Sequence, residues 1–75
     1  MLTQGDELGM AIYRFYLFDR DGHIVEAQEI GCADADAIER TARELLRHAA
    51  SVVEAIEAWE RDQRVYRLDR VNLDA

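Results

Sequence analysis

The stretch 54-EAIEAWERDQRVYRLD-69 constrains this chain more than any other, because its two readings give different folds. Its first half is rich in good helix formers and continues the spacing of the segment before it; its second half alternates like a strand. Upstream, Ile38, Ala42, Leu45 and Ala49, with Leu46 beside them, make an apolar helical stripe. The same 3-4 spacing runs on through Val52, Ile56 and Trp59, so one helix from about residue 35 to 60 is allowed. Such a helix would be about 39 Å long. The strands it has to cover are about 24 Å. Two or more turns would overhang with nothing to pack on.

The other reading ends the helix near Ala50 and starts a strand near Val53. A three-residue loop, Arg61-Asp62-Gln63, then turns the chain into residues 64–69. In that register Glu60 faces Arg64 and Glu57 faces Arg67, both pairs of opposite charge. Ile56 and Ala58 share a face with Tyr66 and Leu68; Glu57 and Trp59 share the other with Val65 and Arg67. This reading is adopted, although Ala49-Ala50-Ser51 holds no glycine or proline to stop a helix.

An equivalent hairpin precedes the helix. Residues 11-AIYRFYLFD-19 are aromatic and too short for an independent helix, and Asp19-Arg20-Asp21-Gly22 reads as a turn. A two-residue loop would pair Arg20 with His23. A three-residue loop with Gly22 in the left-handed position pairs Asp19 with His23 and sorts the side chains better. It puts Tyr13, Phe15 and Leu17 beside Val25 and Ala27 on a buried face. Ile12, Arg14, Tyr16 and Phe18 then lie beside Ile24, Glu26, Gln28 and Ile30 on the other. Asp36 is the expected helix cap, with Glu39 completing a capping box, and Asp34 is the rival. The expected fold is therefore α+β: ββαββ, a four-stranded antiparallel sheet of open strand order with one helix on one face. Residues 1–9 read as a disordered leader, 10–71 as one domain and 72–75 as a C-terminal tail.

The segments 13-YRFYLFDRDGHI-24, 44-ELL-46 and 57-EAWERDQRVYRL-68 carry a resemblance. Together they resemble a family of short bacterial proteins of unknown function, with an aromatic first strand, a D-G turn, a helix, and an E-x-W strand followed by a short arginine-bearing strand. In such relatives a glycine often sits in the second turn, where this chain has Gln63 or its neighbours. The resemblance implies no activity, so no catalytic residue follows from it.

Seventy-five residues allow one domain with a thin core. Chains this short usually need a disulfide, a metal or a partner chain. Cys32 is the single cysteine, and with His23 and His48 it matches no zinc-ligand spacing. Self-association remains as the expected support. Sixteen acidic residues against nine basic ones give a net charge of −7, the wrong balance for a nucleic-acid binder, and the arginines form no stripe. Acidity fits a basic protein partner, though by itself it mostly means solubility. No apolar run approaches a membrane span, and residues 1–9 lack the pattern of a signal peptide, so the expected location is the cytoplasm.

Candidate chemistry is sparse. Asp19-Arg20-Asp21-Gly22 lacks the later ligands and terminal Glu of a calcium loop. Cys32 near a helix N-terminus is either a reactive thiol or a small residue at a strand–helix junction, the second being the simpler. His23 beside a turn and His48 at a helix end read as surface histidines. No catalytic, cofactor or metal residue is expected. The feature above background is the sheet face that one helix leaves bare, holding Ile12, Tyr16, Phe18, Ile24, Trp59 and Val65 with Arg14 and Arg67. Aromatics with arginine are what interface centres are made of. The expected role is a non-enzymatic interaction module that forms a homodimer through this face. The rivals are an acidic regulatory partner of a basic protein and a small-ligand binder or enzyme using Cys32.

Overall fold

The computed structural model describes residues 10–74; the expected leader at 1–9 lies outside them. The chain runs β1 (Ala11–Asp19), β2 (Ile24–Cys32), α1 (Ala35–His48), β3 (Val53–Glu60) and β4 (Gln63–Asp69), then a 3₁₀ turn at Arg70–Asn72. The strands form one sheet in the order β2-β1-β3-β4, with every neighbouring pair antiparallel. This is the ββαββ arrangement. The two hairpins are joined down the middle by β1 and β3, and α1 carries the chain from the β2 edge across β1 into β3.

The helix begins at Asp34, the rival cap, whose carboxylate accepts the Ala37 N–H at 2.8 Å. Asp36 and Glu39 sit one turn in and pair instead with Arg40 at 2.6 Å and Arg43 at 3.3 Å. Glu44, a turn further on, pairs with Arg47 and His48. Fourteen residues make a helix of about 21 Å, so it fits the sheet without overhang.

The helix closes with the Ala49 N–H donating to Leu46 O at 3.3 Å, and a side chain from the far end of the chain braces the connection that follows. Ala49 turns extended, with φ −75° and ψ 160°. The Arg70 guanidinium then donates to the carbonyls of Val53 at 2.7 Å, Leu46 at 3.2 Å and Ala50 at 3.3 Å. Carbonyls at a helix C-terminus have no partner within the helix and must find one elsewhere. Arg70 adds a second donor to Leu46 O and ties it to the carbonyls of Ala50 and Val53 beyond the helix.

Both hairpins carry a bulge, and a third stands where β1 meets β3: Phe18 pairs with Ala55 and Asp19 with Val53, so Glu54 is an extra residue that leaves the strict alternation of β3. The first turn has the three-residue loop: Asp19 N–H donates to His23 O, Gly22 N–H donates to Asp19 O, and Gly22 has φ +84°. Phe18 pairs with Ile24, but Leu17 pairs with Glu26, so Val25 is an extra residue and the faces of β2 exchange beyond it. The expected assignment of that strand is corrected accordingly. Gln28 and Ile30 turn towards the helix side, where Ile30 packs against the core, and Ala27 and Val25 do not join it. In the second hairpin the loop is two residues, Arg61-Asp62, with Glu60 paired to Gln63 and Trp59 to Arg64. The expected Glu60–Arg64 pair is therefore absent. The bulge at Val65 takes up the difference, so Ala58–Tyr66, Glu57–Arg67 and Ile56–Leu68 pair as expected.

The core lies between sheet and helix. Phe15, Leu17, Val53 and Ile56 from the central strands meet Ile38, Ala42 and Leu46 of α1, all buried. Each large apolar side chain buried in this way contributes about 1.5–3 kcal/mol. Leu73 is also buried, and Arg43 donates to its carbonyl at 2.8 Å. The expected tail thus gives the core one residue. Among the described residues no helix is long and apolar enough to cross a membrane.

Candidate functional site

Strand alternation sends Phe15, Leu17, Ile56, Ala58 and Leu68 towards α1, and their neighbours to the opposite, uncovered face. On that face Arg14 stands opposite Trp59, Tyr16 opposite Glu57 and Phe18 opposite Ala55. The Tyr16 ring lies 6.4 Å from Phe18 and 6.5 Å from the Trp59 indole, which it meets edge to face. Such pairs add about 0.5–1.5 kcal/mol beyond the area they bury. Around them Ile12 is 58% exposed and Ile24 57%. Val65, also exposed, stands in the β4 bulge rather than in the pleat. The face thus collects seven of the eight expected interface residues directly, with Val65 at its edge.

Glu57 is the centre of the face and is buried, with 8% exposure. Its Oε1 accepts the Trp59 indole N–H at 3.0 Å, and its Oε2 accepts Arg67 at 2.6 Å and Arg64 at 3.1 Å. Arg67 also reaches Asp69 at 2.8 Å. Burial alone would raise the Glu57 pKa. The hydrogen bonds from Trp59, Arg67 and Arg64 outweigh it and hold the carboxyl below its ordinary value. A buried charge is tolerable only when so fully bonded. The network fixes the indole and both guanidiniums in place. Arg64 was not expected here; its partner shifted when the loop lost a residue, a change the charge pattern could not register. At the face's other side Arg14 pairs with Glu29 at 2.6 Å and lies 3.4 Å from the Tyr16 hydroxyl.

Two open depressions mark the ends of the face. One, about 220 Å³, lies among Ile12, Arg14, Glu29, Trp59 and Arg61. The other, about 370 Å³, lies at the opposite end among Asp19, Arg20, Glu54, Arg67 and Asp69, floored by Ala55 and edged by Val71. Both are shallow.

The reactive-group candidates are engaged elsewhere. Cys32 is buried, with its Sγ 3.8 Å from the Thr41 hydroxyl. His48 bonds Glu44. Asp19, Asp21 and His23 bring ligand atoms within 4.8 Å of one another. One Asp19 oxygen, however, already accepts the N–H groups of Asp21 and His23, each at 2.9 Å. The His23 N–H, first, holds the Asp19 pKa below its usual value. This is the geometry of a side-chain-stabilised turn.

Fold and face together define a small α+β protein with a one-sided sheet whose bare side is aromatic and arginine-bearing. Comparisons with protein families, with curated proteins and with solved structures give no match.

Proposed function

We propose that this protein is a binding module, not an enzyme, that pairs with a second copy of itself through the uncovered sheet face. The observation carrying this reading is the combination of Tyr16, Phe18 and Trp59 with carboxylates already neutralised on the spot. Glu29 has Arg14, and Glu57 has Arg64 and Arg67. In a chain of net charge −7, this is a surface two copies can bring together without strong repulsion. Trp59, Arg64 and Arg67 are already hydrogen-bonded to Glu57, so less side-chain freedom is lost on contact. Desolvating aromatics and exposed isoleucines is the main driving force.

The area suits a modest association. Four strands of about eight residues give a face of about 500 Å² per copy, near the lower bound of specific interfaces. A micromolar dissociation constant is expected. The face's paired acids, Glu29 and Glu57, argue against a basic partner docking there by charge, and the burial of Cys32 argues against a thiol-based enzyme. On this reading the protein works in the cytoplasm, without nucleic acid.

Light scattering on a sizing column, from about 1 to 200 µM, tests the reading. A mass rising towards twice 8.6 kDa is expected. Trp59→Arg places two like charges in the joint and should return the monomer with unchanged circular dichroism. A monomer throughout the range refutes the proposal.

A further inference from the structure

The proposed pairing leaves the direction of the two copies open, and the charge layout of the face supplies it. Two sheets meeting face to face about a two-fold axis keep their strands roughly aligned. If the axis runs along the strands, each end of the face meets the same end of its partner. If it runs across them, each end meets the opposite one. The two ends differ. The depression at the Arg61 end is lined by two guanidiniums, Arg14 and Arg61, and one carboxylate, Glu29. The depression at the Asp19 end is lined by three carboxylates, Asp19, Glu54 and Asp69, and two guanidiniums.

Internal pairing sharpens the contrast. Glu29 is taken by Arg14, and Asp69 by Arg67. Among the described residues Arg61 has no carboxylate partner, and Glu54 has no cationic one. Glu60 does not cancel Arg61 on this face. It shares the core parity of Ile56 and Ala58, and its charge is felt by Tyr13 on the helix side, where, after burial, it helps to raise the hydroxyl pKa. Asp62, next in the turn, does not line the depression. The first end therefore keeps an unmatched cation. At the second, Arg20 is also without a partner among the described residues and offsets Glu54, but Asp19, which has only His23, leaves that end with an excess of negative charge. Arg61 moreover holds a left-handed backbone, φ +56°, that favours glycine.

We propose that the two copies join head to tail, about an axis crossing the strands, so that the Arg14–Arg61 end of each covers the Asp19–Glu54 end of the other. The inference rests on face-to-face self-association. It adds that Arg61 and Glu54 set the orientation, the usual part played by charges at an interface of small area.

A nitroxide on Asp62→Cys, in a Cys32→Ala background, reads the orientation by pulsed electron resonance of the dimer. Head-to-tail joining separates the labels by about the strand length, 25 Å or more; like-end joining brings them within about 15 Å. Arg61→Asp, which tolerates the left-handed backbone, and Glu54→Arg each act at two symmetric contacts. Each alone is expected to weaken the dimer about tenfold at low salt, and the two together to restore it within about threefold. Circular dichroism checks that each variant folds. A dimer with the short label distance, or one indifferent to both reversals, overturns the head-to-tail inference and leaves self-association standing. A protein monomeric to 200 µM overturns both.

Discussion

Glu57 shows how a single residue organises a surface. Its carboxylate is buried on the outer side of the sheet and satisfied by an indole and two arginines. Replacing it with Gln keeps the shape but leaves Arg64 without its anion and Arg67 with Asp69 alone. We expect Glu57→Gln to lower stability by about 1–3 kcal/mol in urea unfolding. The pH dependence has a definite sign. A carboxyl whose folded pKa lies below its ordinary 4.5 contributes stability that is full above that value and is lost as pH falls through the folded one. The wild type should therefore lose stability more steeply than Glu57→Gln on acidification below about pH 4.5. Arg61 is the opposite case, a residue held where glycine fits better. Arg61→Gly relieves left-handed strain but loosens the unfolded chain, so a gain of up to about 1 kcal/mol is expected in the same assay. On the head-to-tail reading it also weakens the dimer, which separates fold from function at one position.

At the scale of elements, the helix end and the hairpin registers differ in how they were legible. The first hairpin, its three-residue loop and, once 53–60 is taken as a strand, the pairs Glu57–Arg67 and Ile56–Leu68 were legible from alternation and charge, since a buried face penalises every one-residue slip. The bulges at Val25, Glu54 and Val65 were not, because an inserted residue leaves composition and local charge unchanged. The stop after His48 carried no glycine or proline, and part of what holds it is remote: the carbonyls of Leu46, Ala50 and Val53 are met by Arg70, at least 17 residues away. Arg70→Met should cost about 1–3 kcal/mol. It should also speed amide exchange at residues 49–53 more than in the middle of β1, a difference that exchange measured by NMR would register.

The whole molecule has one layer of helix on one layer of sheet, which leaves half of the sheet's surface to be explained. Tyr16, Phe18 and Trp59 were assigned to that half from parity alone, and the structure places them together there. Their packing with Arg14, and the gathering of Arg64 into the Glu57 network, came from cross-strand neighbours distant in sequence. Trp59→Arg is the discriminating change at this scale. A loss of the dimer on the sizing column with little change in the urea midpoint is the expected outcome, since the indole is only half-buried in the single chain.

The amino-acid order by itself determined the first hairpin, the body of the helix and the parity that places Phe15 and Leu17 in the core and Tyr16 and Phe18 on the bare face, because these follow from periodicities of two and 3.6 within a few residues. The choice of strand over helix at 53–60, the faces of β2, strand order, the three bulges, the Arg70 contacts, the place of Leu73 in the core and the opposed charges at the ends of the face were decided only in three dimensions. Each depends on groups far apart in the chain finding the same few ångströms, a condition that no local pattern encodes.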